Sequence, residues 1–229
     1  MTQTIGKGGV VALAYPASDP ASLVTLALYL RCNESHTQAR LSLQSSLLLN
    51  GSDDVQIFHL QYNADNLIPG TISFKPTITD ISQARLATLA RHGSPQIHTL
   101  SLTLKECCPV WCSSSGPFTP RSGCGASFRQ LINLAKATKL HILFDHRWLG
   151  HDKKAILQQL VEHPNRLSNL PLDRHLLQTL RRVHGEELNI QGIDADAEAD
   201  ATTEDEEPPP YVETSSKRPR GKLRVPTSM

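Results

Sequence analysis

The stretch FDHRWLGHD sets Asp145, His146, His151 and Asp152 close together along the chain. Carboxylates and imidazoles at this spacing are the raw material for a general base with an orienting partner, or for a divalent-metal site. Asp145 falls at the carboxyl end of an expected strand, where loops of mixed folds present reactive groups. The same residues also have ordinary local jobs. Asp152 reads as the N-cap of a helix beginning DKKAILQQL, and Trp148 with Leu149 reads as a hydrophobic staple onto the body. No nucleophile motif, phosphate loop or metal-ligand spacing accompanies them, so no catalytic residue, metal ligand or cofactor is assigned. An enzyme using Asp145, His146 and His151 stands as an alternative.

Two other clusters are weaker. Cys107, Cys108, Cys112 and Cys124 share one Gly/Ser/Pro-rich loop, but adjacent cysteines diverge and no CxxC is present. Buried thiols acting as small hydrophobes account for them. GKGG at residues 6–9 lacks the span and the hydroxyl residue of a phosphate loop. Near the end of the expected domain, Arg174, His175, Arg181, Arg182 and His184 lie outside the apolar stripe of an expected final helix. That basic face offers a second alternative, a nucleic-acid-binding module, although Arg181 and Arg182 in a last turn also suit the helix dipole.

The C-terminal stretch DEEPPPYVETSSKRPRGK carries the sharpest clues. Pro208, Pro209 and Tyr211 fit PPxY, an extended proline ligand for the aromatic groove of a WW domain. Lys217, Arg218 and Arg220 fit a short basic signal read by a nuclear import receptor. Both sit in a segment, residues 193–229, that is nearly free of large apolar residues and has no periodicity to offset backbone entropy of ~1–2 kcal/mol per residue. This segment is expected to be a disordered acidic, proline-bearing and then basic tail.

Positioning elements must come from the preceding residues. The chain has 229 residues, 39% hydrophobic and 20% charged, enough for one sizeable domain with an appendage. Residues 1–193 carry a mild excess of about +5, hidden in the whole-chain value of +1 by the acidic tail. That is too little to imply nucleic acid by itself, and 5% aromatic content argues against an aromatic-rich base-stacking platform. The apolar run 8–30 is broken by Pro16 and Pro20 and reads as two strands and a turn rather than a membrane span. Five cysteines with no export signal point to reduced thiols in the nucleus or cytosol.

Period-2 alternation places strands at Val24, Leu26, Leu28 and Leu30, at Leu41 to Leu49 across Ser45, at 55–62 and 67–74, and at Leu100, Leu102 and Leu104. Asp80 caps an expected short helix with Ile81, Leu86 and Leu89 inward. SFRQ from Ser127 has capping-box spacing ahead of Phe128, Leu131, Ile132 and Ala135 on one helical face. A strand at Leu140, Ile142 and Phe144 follows, then a helix through Ala155, Ile156, Leu160 and Val161, then the final helix from Leu172 to Val183. The expected fold is α+β: an N-terminal antiparallel β meander followed by helices over residues 1–192, with a disordered C-terminal tail.

LKECCPVWCSSSG, FRQLINLAKATKLHILFDHRWLG and PPPYVETSSKRPR, taken together, resemble uncharacterised proteins of filamentous ascomycete fungi that end in the same PPPY and KRPR tail. The resemblance covers the C-terminal half and implies no activity. It reinforces only the pattern of a compact domain followed by a proline-tyrosine and basic tail. The expected function is a non-enzymatic nuclear interaction protein, in the nucleus or in nucleus and cytoplasm, binding a macromolecular partner. Its tail serves import and docking, without a membrane.

Overall fold

The computed structural model describes residues 3, 4, 9–77, 81–90, 93–113, 118–171 and 180–183, all within the compact unit Met1–Ile193. The expected tail, with Pro208, Pro209, Tyr211, Lys217, Arg218 and Arg220, lies outside the described residues, as do Asp80, Arg174, His175 and His184.

The protein is mostly one antiparallel sheet with few helices. Its first strands are β1 (Gln3–Thr4), β2 (Val10–Pro16), β3 (Val24–Cys32), β4 (Gln38–Leu48) and β5 (Val55–Asn63). After β6 (Ser73–Pro76) comes the short helix α1 (Gln83–Ala87). Then follow β7 (Ile97–Thr103), β8 (Val110–Cys112), α2 (Gly125–Lys136), β9 (Lys139–Asp145), α3 (His151–Glu162), β10 (Ser168–Asn169) and β11 (Arg181–Val183). Strand order is β11-β8-β5-β4-β3-β2-β9-β7-β6, with β1 and β10 attached to β3 and β4. Strands β2 to β5 form the expected meander, each antiparallel to the next. The helices do not follow the strands as a block; they are interleaved with β6 to β11. Among the described residues no helix is long and apolar enough to cross a membrane.

Alternation decides the two faces. Leu26, Leu28 and Leu30 of β3, Leu41, Leu43 and Leu47 of β4, and Phe58, Leu60 and Tyr62 of β5 are buried on the inner face. On this face α2 lays Phe128, Leu131, Ile132 and Ala135 against the sheet, and Phe128 meets Phe58 edge-on with centroids 5.8 Å apart. Each of the larger side chains, Phe128, Leu131 and Ile132, contributes roughly 1.5–3 kcal/mol by leaving water. From α3 the inward residues are Ile156, Leu157 and Leu160; Ala155, expected inward, is exposed. On the outer face around β2 and β9, Leu86 and Leu89 pack on Leu13, Leu23 and Leu143.

Four local expectations change. Helix α2 starts at Gly125 with Cys124 at its N-cap, so Ser127 lies inside the first turn and the capping box is not formed. Helix α3 starts at His151 after an N-cap at Gly150, which places Asp152 within the helix rather than at its cap. The Cys-rich loop contains β8, whose register against β5 needs Val110 and Cys112 inward, and both are buried. The final helix is also revised at its end. Arg181 to Val183 form a strand antiparallel to β8, because Val183 gains a core position and the backbone gains ladder partners there.

Candidate functional site

Asp145 and His146 are neighbours in sequence whose side chains take different partners. Asp145 shares the parity of Leu143, whereas the His146 ring packs on His98 at 4.4 Å between centroids, and His98 pairs across the ladder with Phe144. The Asp145 carboxylate is fully buried and accepts from Arg147 Nη2 at 2.7 Å, Arg147 Nε at 3.0 Å, the Arg147 backbone N–H at 3.1 Å and the Gln96 N–H at 3.2 Å. It is a clamp that closes the corner after β9. Burial, then His98 and Lys154, hold the His146 imidazole below its ordinary pKa. His151 is exposed at the start of α3. Trp148 packs partly buried against the core and Leu149 is buried in it.

The four loop cysteines are not gathered. Cys108 and Cys112 are buried, Cys107 is exposed and Cys124 is half-buried. Cys107 Sγ donates to the Lys136 carbonyl at 3.0 Å. Burial pushes the Cys108 thiol up to about 12. No three His, Cys, Asp or Glu side chains among the described residues come together as a metal would require.

The feature that strand reading by itself passed over is the outer face of β3, β4, β5, β8 and β11. Three cross-strand rows can be traced on it. Arg182, Trp111, His59 and Gln44 form one; Gln61, Ser42 and Tyr29 form the next; Asn63, Arg40 and Arg31 form the third. None of these five strands contains an aspartate or glutamate. Arg40 is 4% exposed and donates to the Pro171 carbonyl at 2.7 Å, while the Arg31 guanidinium carbon lies 6.0 Å from the Tyr29 ring centroid. Gly9 has φ 78°, and a Cβ there would stand 2.7 Å from Tyr29 Cζ. Glycine therefore lets the tyrosine ring lie over the start of β2. His59 is held down to about 4 by burial first, then by Arg40 and Arg31. It is neutral at physiological pH, so the positive charge of the face belongs to the arginines.

Beside Trp111, Gln61 and Asn63 opens a cleft of about 410 Å³, which Lys105 and Arg182 also line. Of the basic residues expected on a final helix, Arg182 reaches this face from a strand. Arg181 turns to the other side, its guanidinium 4.9 Å from the Phe118 ring centroid.

No family model, curated protein or solved structure matches this chain.

Proposed function

We propose that this chain is a non-enzymatic nuclear interaction protein whose folded α+β part binds an anionic macromolecule on the outer face of β3, β4, β5 and β8. The observation that carries the proposal is that β3, β4, β5, β8 and β11, which contain no aspartate or glutamate, place Arg31 and Arg182 on one outer face with Tyr29, His59 and Trp111. An enzyme built on Asp145, His146 and His151 is disfavoured, because the Asp145 carboxylate is taken up by Arg147 and the Gln96 amide.

In the same proposal the C-terminal residues add address and docking. Lys217, Arg218 and Arg220 engage an import receptor, while Pro208, Pro209 and Tyr211 engage a WW domain. A fluorescent fusion too large to diffuse through nuclear pores tests the first: replacing the three cations with Ala should leave it in the cytoplasm. A peptide of residues 204–216 tests the second, with Tyr211→Ala weakening WW binding at least about tenfold.

The folded part is tested by elution from a heparin matrix. The background is the full chain with Lys217, Arg218 and Arg220 replaced by Ala, so that the tail does not contribute. Arg31→Gln with Arg182→Gln should elute at distinctly lower salt. Co-elution with the parent would remove the face from the account.

A further inference from the structure

Resting on the anionic-partner proposal, we infer that the occupant of the outer face is a single strand of nucleic acid, its bases stacked on Tyr29 and Trp111 and its phosphates held by Arg31 and Arg182. An acidic protein segment would use the arginines but would have little use for the rest. The face carries two partly buried aromatic rings on different strands, Tyr29 on β3 and Trp111 on β8, each with part of its surface open to solvent. Two strands, β4 and β5, intervene, so the rings are separated by roughly 14 Å across the sheet at ~4.8 Å per strand. That spacing makes two separate base stations on one path rather than a single aromatic pair. Stacking on such rings is tolerant of sequence and adds to phosphate contacts.

Polar groups between the stations also suit base edges better than carboxylates. Gln61 is 7% exposed, its Nε2 donates to Asn63 Oδ1 at 2.6 Å, and its Oε1 has no hydrogen-bond partner among the described residues. The Trp111 Nε1–H is buried and likewise without a partner there. Both residues line the 410 Å³ cleft, and their unpartnered acceptor and donor are buried in its wall, where a base edge meets them once the two side chains turn outward. Asp65 and Glu106 line the same cleft with Lys105 and Arg182, so a phosphate there is held by the two cations and repelled by the two carboxylates. A duplex buries its bases in the stack and cannot offer them to Tyr29 and Trp111, which selects the single strand.

The experiment is fluorescence anisotropy with a labelled 12-mer oligothymidylate, an abasic strand of equal length, and a polyglutamate peptide. The protein is the full chain with the three tail cations replaced by Ala. The oligonucleotide should bind at least tenfold more tightly than the abasic strand. Tyr29→Leu and Trp111→Leu, which keep apolar bulk and are checked for folding by circular dichroism, should each weaken it by fivefold or more. Arg31→Gln should weaken both strands and reduce the slope of log affinity against log salt by about one. Equal binding of the abasic strand, or of polyglutamate, with no response to Tyr29→Leu and Trp111→Leu, would overturn the single-strand assignment while leaving an anion-binding face. Binding of none of the three probes would overturn both.

Discussion

Arg31 of β3 stands directly opposite Arg40 of β4 in the antiparallel ladder. A cross-strand pair of like charges is disfavoured by a few tenths to about 1 kcal/mol relative to a neutral pair. Neutralising one member therefore separates stability from binding. Arg31→Gln should leave the melting temperature unchanged or slightly raised while weakening retention on a polyanion. A marked loss of melting temperature would show that Arg31 supports the fold instead.

His59 supplies a pH dependence with a defined sign. Its folded pKa is lowered from 6.5 to about 4, so between these values the unfolded chain binds more protons than the folded one. Stability from keeping His59 neutral is then fully present above about pH 6.5 and is lost as pH falls toward 4, by about 2–3 kcal/mol. Urea unfolding from pH 7 to 4 should show this fall, and His59→Gln should flatten it. An unchanged profile in the variant would assign the acid sensitivity to other groups.

At the corner after β9 the expectation is structural. Asp145→Asn keeps the shape but removes the charge that Arg147 and two backbone amides share, and should cost about 1–3 kcal/mol. Arg147→Leu should lower the melting temperature further, because it leaves a fully buried carboxylate without its counter-charge. His146→Ala, outside this clamp, should be milder than either. A reversed order would mean that Asp145 is not the anchor of the corner.

Thiol accessibility checks the inner face. Maleimide labelling of the native protein near neutral pH, read by mass spectrometry, should modify Cys107 and to a lesser degree Cys124. Cys32, Cys108 and Cys112 are buried and should react only after unfolding. Prompt native labelling at Cys112 would contradict the placement of β8 in the core.

Much of the scaffold was legible because one side chain in two had to be apolar. Leu41, Leu43, Leu47 and Leu49 kept parity across Ser45, and Ser45 is indeed buried among them. Phe128, Leu131, Ile132 and Ala135 announced the inward face of α2. The last described segment was misread because Leu180 and Val183 fit a helical spacing as well as a strand, and pairing with β8 is a tertiary preference that no local pattern encodes. The candidate face was illegible for a related reason. Arg31 and Arg40, or His59 and Trp111, are neighbours only through register, and each by itself is an ordinary polar residue on a strand. Asp145 and His146, adjacent in sequence, take different neighbours that no local pattern encodes: the carboxylate meets Arg147 and the Gln96 amide, and the imidazole packs on His98.

His59 lies inside the candidate face and is coupled to Arg40 and Arg31, which makes its imidazole the most direct reporter of occupancy. The measurement is a titration of the His59 ring resonances by NMR in the full chain with Lys217, Arg218 and Arg220 replaced by Ala, with and without saturating oligothymidylate. The account predicts that the bound strand shifts the His59 signals and raises its pKa from about 4, since phosphates offset the two arginines. Unmoved His59 signals, with the shifts confined instead to His98, His146 or His151, would place the ligand elsewhere and contradict the account.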